Sequence, residues 1–135
     1  MLEKDLLKNT NVKDNRPINL DITTIKLPLA AKVSITHRIS GVFLFIGIAF
    51  LLYLLDLSLR SESEFMRAQA VLSAPVAKLL TFAVLASLIY HFLAGCKHLL
   101  LDLGVGENNE GAKMGAIIVL ALSVVGSAIA GLWIW

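Results

Sequence analysis

Apolar residues along this chain fall into three long blocks separated by polar segments. Positions 39–55, 79–96 and 114–135 contain no Asp, Glu, Lys or Arg over 17, 18 and 22 residues. A helix needs about 20 mostly apolar residues to cross a hydrocarbon core of about 30 Å. The third block meets that requirement outright. The first two meet it when side chains at their ends reach toward the interface, or when a few flanking polar residues face protein. A helix buried in a soluble bundle should show a polar stripe at helical period, and these blocks show none that is charged. The pattern predicts an all-α integral membrane protein with three transmembrane helices, at about 33–57, 76–102 and 113–135. A short N-terminal arm, 1–32, precedes them and is predicted to be cytoplasmic.

Composition supports the same class. Charged residues make up 16% of the 135 positions, well under the about 25% of soluble domains. The formal net charge of +2 is too small to point to a nucleic-acid partner, and none is expected. A single Cys excludes an intrachain disulfide and any four-Cys metal site built by this chain alone. The first apolar block lies behind 38 residues that hold 11 of the 22 charges, and no small-residue cleavage site follows it, unlike a secretory signal peptide.

Orientation follows from Lys and Arg near the helix ends. The segment up to the first span has seven, from Lys4 to Arg38. The first loop has Arg60, Arg67 and Lys78, and the second has Lys97 and Lys113. The N-terminal cluster dominates and predicts a cytoplasmic N-terminus and an outer C-terminus, with Trp133 and Trp135 at the outer interface. The loops alone do not favour this orientation. Pro17 and Pro28 argue against a long helix in much of the arm. The first loop reads as polar around Arg60–Glu64 and the second as Gly- and Asn-rich around Gly104–Gly111.

Polar groups inside the spans carry the functional information, because the bilayer penalises them. At 100° per residue, Ser34, His37, Arg38 and Gly41 share one face of the first span, and Ser87, His91, Gly95, His98 and Asp102 share one face of the second. His91, near the middle of its span, is either hydrogen-bonded to a neighbouring helix or an axial haem ligand. Ser87 and Gly95, one turn to either side, leave room for a flat ring. His98 lies about 10 Å nearer the membrane surface, with Asp102 placed to orient it. One helix cannot offer both imidazoles to the two faces of one porphyrin.

Arg38 near the end of the first span is either an interfacial anchor or part of a site. Beside Ser34 and His37 it suits a ligand with an apolar tail and a polar head, such as a quinone. Ser123, Ser127 and Gly131, with Gly126 and Ala130, read as a close-packing face on the third span.

Three segments carry a family resemblance. They are Arg16-Pro17-Ile18-Asn19-Leu20-Asp21, the S-x-x-H-R-x-S-G run from Ser34 to Gly41, and the H-x-x-x-G-x-x-H-x-x-x-D run from His91 to Asp102. In this order and spacing they closely resemble the cytochrome b556 subunits of bacterial succinate dehydrogenases, the larger of two small membrane anchors. The resemblance runs from about Arg16 to the C-terminus. Where the family often has Arg before the second His, this chain has Lys97, which lacks the planar fork for a bidentate contact.

The resemblance implies a four-subunit succinate:quinone oxidoreductase in the bacterial inner membrane. A flavoprotein would oxidise succinate and an iron–sulfur subunit would pass the electrons on. Two small anchors, both in contact with membrane lipid, would share haem b and bind ubiquinone as substrate. His91 would be one axial iron ligand, Ser34 and Arg38 would line the quinone site, and His37 and His98 would belong to the haem surroundings, His37 near the propionates. No succinate-oxidising residue would lie on this chain. The competing expectation is a haem-free three-helix scaffold or transporter subunit whose polar face lines a water path or binds other helices.

Overall fold

The computed structural model describes residues 24–135. Among them are four helices and no strand: α1 (Leu29–Arg60), α2 (Glu62–Ser73), α3 (Pro75–Asp102) and α4 (Asn109–Ile134). Three of these, α1, α3 and α4, are long and apolar enough to cross a membrane. The three predicted spans are therefore present, and each is longer than its charge-free block.

Proline sets two of the starts. α1 begins immediately after Pro28, whose extended backbone serves as its N-cap, and α3 has Pro75 in its first turn. The four residues Leu29–Lys32, expected in the arm, are thus helical. Residues 1–23, including Lys4, Lys8, Lys13, Arg16 and Pro17, lie outside the described residues. At 32 residues α1 is about 48 Å long, so its ends project past a core of about 30 Å. α3 ends in a Schellman motif: Val105 N–H donates to the Leu100 carbonyl and Gly104 N–H to that of Leu101, at 2.9 Å each. Gly104 takes the positive φ of 81° that this cap requires.

The first connection differs from the expected polar loop. Ser61 Oγ accepts from the Glu64 N–H at 3.2 Å and starts α2, with Glu62 and Glu64 at the positive end of its dipole. Ala68 is buried, and Phe65 and Leu72 line a cleft with Leu51 and Leu55 of α1. The segment is thus a short amphipathic helix folded back on α1.

Consecutive spans pack antiparallel. On the α1–α3 interface, Val33 meets Tyr90, His37 meets His91, and Gly47 meets Val84. On the α3–α4 interface, Lys97 lies against Gly115, Ile89 against Gly126, and Phe82 against Gly131. The predicted close-packing face on the third span is present: Ser123 is buried and returns its hydroxyl to the Val119 carbonyl, while Gly126 and Gly131 admit α3 side chains. Val33, Ala94, Ala116 and Val119 form the core near one end. Phe45, Phe92, Leu132 and Trp133 point outward, as side chains facing lipid or another subunit do.

Candidate functional site

The polar faces predicted on the first two spans meet in the structure. The His37 and His91 rings stack with centroids 4.1 Å apart, and the His98 ring lies 5.2 Å from that of His37. The register comes from backbone and small residues. A Cβ on Gly41 would sit 3.0 Å from His91 Cε1, and one on Gly95 would sit 3.6 Å from His37 Nε2. Glycine at these positions therefore lets each imidazole lie against the opposite helix. Space beside Gly95, expected for a flat ring, is bordered by the His37 imidazole.

Hydrogen bonds fix the tautomer of His91. Its Nδ1 lies 3.1 Å from the His37 carbonyl and 2.9 Å from Ser40 Oγ. The carbonyl can only accept, so Nδ1 carries the proton. The Ser40 hydroxyl donates to the same carbonyl at 2.6 Å and presents a lone pair to Nδ1–H. Nε2 of His91 is left with its lone pair and no hydrogen-bond partner among the described residues. His37 Nε2 is buried and also has no partner. Ser87 Oγ reaches the Ser40 carbonyl at 3.5 Å.

A second polar tie lies one turn toward the α1 N-terminus. Tyr90 Oη donates to the Val33 carbonyl at 2.9 Å and pairs with the Thr36 hydroxyl. It locks α3 to α1 just beside the histidines. Ser34 is half-buried and Arg38 exposed, one helical turn apart on α1. Arg38 forms no ion pair with a carboxylate among the described residues. Asp102 is exposed and makes no hydrogen bond or ion pair with His98, so the orienting contact considered for that pair is not formed.

These groups suit one kind of chemistry, the holding of a metal-centred cofactor. An imidazole whose Nδ1–H is held by a carbonyl presents Nε2 as a metal ligand of fixed direction. That fits an axial haem ligand, and the unpartnered His37 Nε2 fits a polar edge of the same group. No cluster of three or more His, Cys, Asp or Glu side chains among the described residues could hold a bare metal ion. Sequence reasoning singled out all five candidate residues but gave no role to Ser40 or Tyr90. Ser40 had a signal: it lies three residues after His37, on the face that meets His91.

Comparison with known proteins agrees with the motif resemblance. The family model for the succinate dehydrogenase/fumarate reductase transmembrane subunit matches residues 12–130. A succinate dehydrogenase cytochrome b556 subunit of Coxiella burnetii is 36% identical over 121 residues, covering 89% of this chain and 97% of that protein. The subunit of the same name from Paracoccus denitrificans is 34% identical over 113 residues, covering 84% and 87%. A mitochondrial succinate dehydrogenase cytochrome b560 subunit of Sus scrofa is 31% identical over 127 residues, covering 93% and 75%. With three membrane-length helices, the two signature runs facing each other, and a match over most of its length, the chain belongs to the transmembrane subunit family of succinate dehydrogenase and fumarate reductase.

Proposed function

We propose that this chain is an anchor subunit of succinate dehydrogenase that holds haem b and helps form the site where ubiquinone is reduced. The observation that carries this reading is the state of His91, with Nδ1–H held by the His37 carbonyl and Ser40 and Nε2 free. Haem, when bound, supplies a one-electron carrier inside the membrane. His91 would hold its iron through the free Nε2. His37, whose ring stacks on that of His91 at 4.1 Å, would border the group and not hold its iron. A second iron ligand would come from the other small anchor. His37 and His98 contribute polar edges around the group.

Ser34 and Arg38 hold the quinone. The Ser34 hydroxyl donates to a quinone carbonyl. Arg38 is permanently charged and stabilises the negative charge that reduction places on quinone oxygen. Partial desolvation strengthens that interaction. Electrons arrive from the iron–sulfur subunit, which takes them from the flavoprotein that oxidises succinate. Both dock on the membrane face nearest Ser34 and Arg38. The basic residues before and within the start of α1 favour placing this face in the cytoplasm and the complex in the bacterial inner membrane; alkaline phosphatase fused after Trp135 reads that orientation.

Absorption and magnetic circular dichroism of the assembled complex test the haem assignment. Dithionite-sensitive α and Soret bands of a low-spin, bis-histidine haem are expected, and His91→Leu should abolish the bis-histidine signature. A flat spectrum would favour the haem-free scaffold. A haem that keeps both axial ligands in His91→Leu would remove His91 from the site.

A further inference from the structure

On the side of α3 away from the histidines, α3 and α4 enclose a second site. A groove of about 380 Å³ runs between them, lined by Leu93, Leu101, Gly111, Ile118 and Leu122. Its walls are apolar except for Lys97. Lys97 is only 7% exposed and has no hydrogen bond or carboxylate partner among the described residues. Gly115 makes the space for it: a Cβ there would lie 3.4 Å from Lys97 Cε. The stem of Lys97 is buried between the helices while its ammonium stays accessible and unpaired in an otherwise apolar wall, where an anion can form a charge-assisted contact with it.

The dimensions identify the anion's other half. From Gly111 down to Leu122 the groove follows α4 for about 16 Å. That is about half of a 30 Å hydrocarbon core, the depth of one leaflet. It opens at the 103–108 connection, at the headgroup level. A partner helix would run the full thickness, whereas an acyl chain ends near the midplane. We propose that this groove binds one anionic phospholipid, with its phosphate on Lys97 and an acyl chain between α3 and α4. Basic pockets between transmembrane helices recognise anionic headgroups in this way. The site is separate from the haem and quinone residues and does not depend on their assignment.

A phosphatidylglycerol carrying a photoactivatable diazirine in its acyl chain tests this on the detergent-purified complex. Mass spectrometry should find it crosslinked to α4 between Gly111 and Leu122. Lys97→Met should lower that labelling by about fivefold, the factor one cation at the headgroup level contributes, and Lys97→Arg should retain it. Ile118→Trp fills the groove at a position that is 50% exposed, so the helix tolerates it, and should lower labelling with Lys97 intact. A phosphatidylcholine analogue should label less, and millimolar inorganic phosphate should not compete. Equal labelling of the native and Lys97→Met complexes would overturn the proposal. So would undiminished labelling of Ile118→Trp, should Lys97→Met fail to assemble. Equal labelling by phosphatidylcholine, or displacement by inorganic phosphate, would overturn it as well.

Discussion

The two interfaces that α3 makes are built from different materials. Toward α1 it presents Ser87, Tyr90, His91 and His98, and the helices are joined by hydrogen bonds to backbone carbonyls of Val33, His37 and Ser40. Toward α4 it presents Phe82, Ile89, Leu93 and the stem of Lys97 against Gly115, Gly126, Gly131 and Val119. The second interface needs only close approach, which small residues provide in a membrane. The first spends costly intramembrane polar groups where apolar ones would hold two helices equally well. In a bilayer that cost marks the first surface as the candidate for chemistry and the second as one of adhesion.

The largest effect should come from the polar side. Arg38→Leu is expected to lower succinate–quinone activity by about a hundredfold, the loss typical of removing one charge-stabilising group from a reaction site. Ser34→Ala removes one neutral hydrogen bond and should cost about fivefold. Both variants should still reduce an artificial dye that takes electrons upstream of the membrane, which also reports assembly. If both stay membrane-bound and reduce ubiquinone at the normal rate, Arg38 is an interfacial anchor and the contrast between interfaces loses its functional half.

The adhesive side should respond in stability and not in chemistry. A Cβ on Gly126 already comes within 3.0 Å of Ile89 Cγ2. Gly126→Val overpacks that contact and is expected to cost about 1–3 kcal/mol, read as a lower midpoint of thermal unfolding in detergent. The haem spectrum and the quinone KM of the surviving complex should not change. A shifted haem spectrum in this variant would mean that the two faces of α3 are coupled.

Much of this contrast was legible in the residues. Charge-free blocks located the spans, because a bilayer excludes charge irrespective of tertiary contacts. The helical period then gathered Ser34, His37 and Arg38 on one face and His91 and His98 on the other, and the structure brings those faces together. Helix ends were less legible, since α1 and α4 continue into polar residues once they leave the hydrocarbon. The α2 segment was readable in principle: Ser61-x-x-Glu64 has the capping-box pattern, of which the Ser61 half forms, and Phe65, Ala68 and Leu72 fall on one helical face. Its Ser and Glu content spoke louder for a loop. The burial of the Lys97 stem was not legible, because it depends on Gly115 of the neighbouring helix leaving space for it, which the periodicity of one helix does not reveal.

The most local effect probes how the polar interface holds His91. Two acceptors share its Nδ1–H: the His37 carbonyl at 3.1 Å and Ser40 Oγ at 2.9 Å. Ser40 is buried, and its hydroxyl is also tied to that carbonyl. Ser40→Ala deletes the shorter contact but leaves the carbonyl, so the ring keeps its tautomer and loses some of its alignment. Loss of a group that orients a metal ligand typically costs between ten- and a hundredfold in metal affinity. With one acceptor still present the low end applies, and haem should leave the variant complex about tenfold faster when an acceptor apoprotein captures it. Magnetic circular dichroism should still report two histidine ligands, with the near-infrared band shifted by the altered ring. Ser40→Thr restores the hydroxyl and should restore both readouts. If Ser40→Ala releases haem at the native rate with an unshifted band, the carbonyl alone positions His91, and the serine belongs with the adhesive contacts.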